Sequence, residues 1–171
     1  MKITFACSLF LLCCLPVGKS SRSLPIPHNF AESDTAPDTW KKDMLDQVNR
    51  LRSKGCRCGR KQMPPVPALA WNDQLEKSAE THAADMHRNN FMGHRGSNGS
   101  NIGKRADKAG YKWRAVAENV AWGQGSVEEV MLDWKDSPGH CINLMSKSYR
   151  DFGAARKGSY WVQEFGSSWE R

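Results

Sequence analysis

Between Trp40 and Lys54 the apolar residues fall at Trp40, Met44, Leu45, Val48 and Leu51, the three-and-four spacing of a helix face, and Gly55 follows as a C-terminal cap. The spacing predicts a helix over 40–54. Pro64, Pro65 and Pro67 then break any regular pattern, so residues 59–70 read as an extended, basic loop. Asn72 or Asp73 caps a second predicted helix running to about Asn89, with Leu75, Ala79, His82, Ala83 and Met86 on one face.

The stretch from Gly93 to Gly103 is rich in Gly, Ser and Asn and reads as loop, with a glycosylation sequon at Asn98. A short helix over 104–109 ends at Gly110. Residues 114–122 mix Val, Ala and Trp with polar residues as a buried strand does, and Gly123 and Gly125 close it. Ser126 to Glu129 is a capping box opening a helix through Val130, Met131 and Trp134. Ser137-Pro138 marks another N-terminus, Ser as cap and Pro at the first position, and predicts a short helix over 139–146. Residues 149–155 and 159–165 read as two strands around Lys157-Gly158. Helices and short antiparallel strands without a strand-helix-strand rhythm indicate an α+β fold.

Composition adds the setting. The chain has 171 residues, enough for one ordinary domain, and seven Trp with six Phe supply apolar bulk for a core. At the N-terminus Lys2 precedes an apolar run, Ile3 to Val17, of about 15 residues, short of the roughly 20 needed to span a membrane. With Gly18-Lys19-Ser20 after it, this reads as a secretory signal peptide over 1–20, cleaved after Ser20, followed by an extended leader over 21–38 and one domain over 39–171. No integral membrane span is expected. The basic balance, 25 Lys and Arg against 18 Asp and Glu, favours loose attraction to acidic surfaces. The basic residues are dispersed and form no reader motif, which argues against nucleic acid.

Signal cleavage removes Cys7, Cys13 and Cys14 and leaves Cys56, Cys58 and Cys141. An oxidising compartment favours one bridge from the Cys56/Cys58 pair to Cys141 with one thiol over. The rival arrangement is a zinc site of Cys56, Cys58, Cys141 and His140, although Cys56 and Cys58 are closer in sequence than the usual ligand spacing.

Candidates for chemistry are His94 in a loop, Glu118 in a strand and His140 after Pro138. Two imidazoles and a carboxylate can hold a divalent metal, but no local spacing ties these three together. His82 shares the apolar face of its helix and reads as a core histidine, His87 as a solvated one, and Ser137 as a cap rather than a nucleophile. No nucleophile elbow, phosphate loop or dinucleotide fingerprint is present.

Eight segments in order carry a resemblance: Gln47-Val48-Asn49-Arg50, Leu69-Ala70-Trp71-Asn72, Ala79 through Met86, Phe91-Met92-Gly93-His94, Arg105 through Tyr111, Ala117-Glu118-Asn119-Val120-Ala121, Trp134 through Cys141, and Tyr160 through Gly166. Over residues 40–166 the chain resembles the CAP superfamily of SCP domains, in particular its bacterial-type branch with the S-P-G-H helix break. The resemblance implies a three-layer α-β-α sandwich with a small antiparallel sheet, and a bridge between the C-x-C-G segment and Cys141. It also implies a cleft lined by His and Glu that in several members binds a divalent metal, which designates His94, Glu118 and His140 for an ion such as zinc. The family pattern departs at Ala117, where Gly is usual, and at Ser137, where a second glutamate is usual. It departs again over Ser159 to Gln163, where the strand histidine of animal and plant members is missing. The expected function is a secreted binding module for a metal, lipid, sterol, peptide or extracellular protein, with no catalytic residue assigned. The alternative is a metal-assisted hydrolase in which His94 and His140 hold the ion and Glu118 is the base.

Overall fold

Local sequence signals set the ends of most elements in the structure, a computed structural model that describes residues 39–169. The expected signal peptide over 1–20 and leader over 21–38 lie outside these residues. Helix α1 covers Thr39–Lys54 and closes at Gly55, whose φ of 73° is the left-handed conformation glycine adopts cheaply. Helix α2 spans Asp73–Asn89, and Asn72 is its cap, with the side-chain oxygen accepting from the amides of Gln74 and Leu75, both at 3.0 Å. Helix α3, Ile102–Ala109, starts earlier than the sequence pattern suggests, because Asn101 supplies a cap that accepts from the Lys104 amide.

Helix α4, Val127–Asp136, begins at Ser126, which accepts from the Glu129 amide at 3.2 Å. The expected return bond of the capping box is displaced by one residue, since the Glu129 carboxylate accepts from the amide of Gly125. Helix α5, Pro138–Leu144, is started by Pro138; Ser137 stands at the cap position without a side-chain capping bond.

The proline-rich stretch is more ordered than expected. Strands β1, Cys56–Cys58, and β2, Lys61–Met63, form an antiparallel hairpin pairing Cys56 with Met63 and Cys58 with Lys61. Three-residue strands are too short to show alternation, which is why the sequence reading passes over them.

Strands β3 (Ala70–Trp71), β4 (Trp113–Trp122), β5 (Asp151–Lys157) and β6 (Tyr160–Ser168) form one sheet in the order β3-β5-β6-β4. The β4/β6 and β5/β6 pairs are antiparallel, as expected, and the two-residue β3 adds a parallel edge beside β5. Side chains alternate across the sheet. On one face Phe152, Ala154, Trp161 and Phe165 join Met44 and Val48 of α1, Val130 and Trp134 of α4 and Leu144 of α5. On the other, Val120, Ala155, Tyr160 and Val162 pack with Ala79, Ala83 and Met86 of α2. The result is an α+β fold of three layers, helices on both faces of a small sheet. Arg52, fully buried, ties α1 to the chain beyond it by donating to the carbonyls of Pro67, Leu144 and Ser146. Among the described residues no helix is long and apolar enough to cross a membrane.

Candidate functional site

Strand β4 lies at the sheet's edge, so groups from the layers on both sides can meet around it. Alternation sends Glu118 and Val120 toward α2 and Asn119 and Ala121 toward α5. Glu118 is the centre of a charged cluster. One oxygen accepts from His94 Nδ1 at 2.8 Å and the other from the Arg105 guanidinium at 2.5 Å. The Glu118 side chain is 2% exposed and that of His94 62%, so a buried carboxylate holds a histidine that faces solvent.

Two further groups fix the loop that carries His94. Arg105 donates to the His94 carbonyl at 3.2 Å. His82, buried, bonds through Nε2 to the Gly93 carbonyl at 2.7 Å; a carbonyl only accepts, so the proton sits on Nε2. Burial holds the His82 pKa down, which keeps the ring neutral, as its reading as a core histidine requires. His87 is exposed, also as expected.

His140 arrives from the opposite layer. The Asn119 side chain donates to the His140 carbonyl at 3.3 Å, and the Asn143 side chain donates to the Glu118 carbonyl at 3.2 Å. The bonds that dock α5 on β4 therefore use the residues that aim Glu118 at the other side. The bond to Glu118 raises the His94 pKa above its ordinary value. Burial first, and then the charge of His94, lower that of His140.

Sequence reasoning did not single out Arg105, Glu164 or Ser78. Glu164 pairs with Glu118 across β4 and β6 and is fully buried. Ser78 donates to one of its oxygens at 3.0 Å, while the other oxygen has no hydrogen-bond partner. Burial and the neighbouring Glu118 charge push the Glu164 pKa well above the usual carboxylate range. The available signal was alternation, which places Glu164 on the same face as Val162.

The donor atoms of His94, Glu118 and His140 do not form a close three-membered set. Among the described residues the His, Cys, Asp and Glu groups whose donors gather within 4.8 Å are Cys56, Cys58 and Cys141. Both Glu118 oxygens are engaged, one by His94 and the other by Arg105. Of the three sulfurs, Cys58 and Cys141 form a disulfide and Cys56 is the free thiol. The bridge takes one of the two pairings left open by the sequence, and uses up the thiolates that the rival zinc site would need. Asn98 is exposed, and its side-chain oxygen accepts from the Ser100 amide.

A separate groove of about 360 Å³ lies between α1 and α4, with Leu51, Met131 and Leu132 flanked by Arg50, Lys54 and Lys135 and by the acidic Glu128.

A profile described as the cysteine-rich secretory protein family, CAP, matches residues 45–165. An uncharacterized protein, YkwD of Bacillus subtilis (strain 168), is 28% identical over 128 residues, covering 74% of this chain and 46% of the relative. The chain thus spans about half the length of the curated relative it matches. Among solved structures, an extracellular protein containing an SCP domain from Bacillus anthracis str. Ames superposes with a TM-score of 0.67 at 24% identity, over 77% of this chain and 44% of that one. An outer surface protein from Borrelia burgdorferi gives the same score and identity over 79% of this chain and 96% of its own. NaASP2, solved with Zn2+, gives 0.52 at 14% identity over 77% and 81%. These likenesses show the fold.

Proposed function

The chain belongs to the cysteine-rich secretory protein family, and on that premise we propose that it is an exported binding module holding a divalent metal ion at His94 and His140. The observation that carries this reading is the division of labour at Glu118. Its carboxylate accepts a hydrogen bond from Nδ1–H of His94, which leaves the other ring nitrogen with its lone pair on a side chain that faces solvent. A carboxylate behind a histidine fixes the ring and strengthens it as a ligand. Glu118 orients; His94 and His140 bind. Imidazole donors suit zinc, as they do copper, iron and nickel, and NaASP2 was solved with Zn2+. An ion there would supply open coordination positions to an incoming oxygen or nitrogen ligand.

The hydrolase alternative is less well supported, because it needs Glu118 to face a water. That side chain is buried and committed on both oxygens. Export rests on the signal-type N-terminus and on relatives described as extracellular or outer surface proteins. A second ligand is proposed for the α1/α4 groove, an apolar chain on Leu51, Met131 and Leu132 whose acidic head lies at Arg50, Lys54 or Lys135, away from Glu128.

Thermal denaturation with and without Zn2+ tests the metal reading. A ligand at about a hundred times its dissociation constant adds roughly 2.7 kcal/mol. That gain should appear in the wild type and vanish in a His94→Ala, His140→Ala double variant, whereas a long-chain fatty acid should stabilise both. Equal zinc stabilisation of the two proteins would refute the assignment.

A further inference from the structure

We propose that Cys56, Cys58 and Cys141 form a thiol–disulfide exchange site, in which the bridge from Cys141 passes between Cys58 and Cys56. The arrangement follows from strand geometry. Residues two apart on a strand project to the same face, so β1 presents Cys56 and Cys58 together to Cys141 in α5. The Cys56 sulfur lies 3.6 Å from that of Cys141 and 3.9 Å from that of Cys58. Both bridged cysteines are buried, at 2% and 0% exposure, whereas Cys56 is half-buried and is the member of the trio open to solvent.

The exchange balances without an oxidant or reductant. Cys56 loses its proton to solvent and its thiolate attacks the Cys141 sulfur, forming the new S–S bond. The bond between Cys141 and Cys58 breaks, its electron pair leaves on the Cys58 sulfur, and that sulfur takes up a proton. Attack on Cys58 instead would have to join strand neighbours. Two strand steps put their α-carbons roughly 6.6 Å apart, near the upper limit for a disulfide, with the side chains side by side rather than converging. Cys141 is therefore the shared partner.

The resting isomer is also explained. The Cys56 sulfur is nearly equidistant from the two bridged sulfurs, so it sits beside their bond, and exchange requires its side chain to rotate into line. Burial raises the Cys56 pKa, and the charge of nearby Lys135 works in the opposite direction. Uncatalysed disulfide rearrangement takes minutes to hours. Because Cys141 stands in the first turn of α5, the isomer decides which residue of β1 anchors that turn. None of this depends on a metal at His94 and His140.

Arg57 separates the two cysteines of β1, so trypsin places them in different peptides and mass spectrometry can tell them apart. The oxidised full chain is held at mildly alkaline pH, quenched in acid at intervals, alkylated under denaturing conditions with N-ethylmaleimide and digested. The expected result is label on Cys56 at the start and a Cys58-labelled fraction that grows from zero to a plateau over hours. Label confined to Cys56 at every time would overturn the proposal. A Cys58→Ser variant should form the Cys56–Cys141 bridge, with neither of these two cysteines labelled. Label on both Cys56 and Cys141 in the folded, oxidised variant would equally overturn it, and if that variant does not fold the wild-type time course decides alone.

Discussion

At Glu118 a single carboxylate neutralises a buried Arg105 and sets the tautomer of an exposed His94. The histidines should report this individually. In a ring-proton NMR titration His94 should titrate above 6.5, and His140 and His82 below it. A Glu118→Gln substitution should bring His94 down, because the bond to the carboxylate is the largest cause of its shift. The linkage has a definite sign. The His94–Glu118 pair contributes stability that is complete below pH 6.5 and fades as pH rises through the elevated pKa. Glu164 has a raised pKa as well, so the fold favours its protonated form and loses stability as pH rises above 4.5 toward the folded value. A Glu164→Gln variant should escape that loss. Its melting temperature should exceed that of the wild type by a margin that widens from pH 4.5 upward, and a constant margin would count against the assignment. His94, Glu118 and His140 were legible as candidates because residue type and resemblance single them out. Arg105 and Glu164 were not, since a charged residue in a short helix or strand looks the same in sequence whether it faces water or a buried partner.

At the level of elements, legibility followed length and capping. Helices α1, α2 and α4 have two turns or more of periodic apolar residues and recognisable caps, and their expected bounds agree with the structure to within a residue or two. The β1/β2 hairpin and β3 have two or three residues each, so their formation depends on contacts far along the chain. Contact between α2 and the sheet depends on a missing side chain. A β-carbon at Gly153 would lie 2.2 Å from the Glu76 amide nitrogen and 2.5 Å from the Leu75 carbonyl carbon, both backbone atoms of α2. Gly153→Ala must push α2 away from β5, and should cost roughly 1–3 kcal/mol in urea unfolding. Removing the α2 cap with Asn72→Ala should cost about 1 kcal/mol by the same measurement. The order of these two effects distinguishes helix packing from helix initiation.

In the whole molecule, the sheet edge and the disulfide hold together parts of the chain that the sequence keeps far apart. Cys58 and Cys141 are 83 residues apart, and closing a loop of that length stabilises a fold by about 4.5 kcal/mol in the chain-entropy account. A Cys141→Ala variant, which loses the bridge to either partner, should forfeit about that amount in denaturant unfolding. Cys58→Ala should lose less, because Cys56 can close nearly the same loop. The three-layer architecture was legible through eight ordered segments, whereas the bonds that join Glu118 to His94 on one side of β4 and dock α5, which carries His140, on the other needed the tertiary structure, because these residues come from opposite layers.

In the proposed function these two imidazoles act as ligands, with Glu118 behind one of them. Imidazole 15N NMR during a Zn2+ titration tests this most directly. The outer ring nitrogen of His94 and a ring nitrogen of His140 should shift together at one stoichiometric equivalent, with His94 Nδ1 keeping its proton on Glu118 and His82 and His87 unchanged. A titration in which His94 and His140 stay still while zinc binds elsewhere, or in which only one of them responds, would contradict the account.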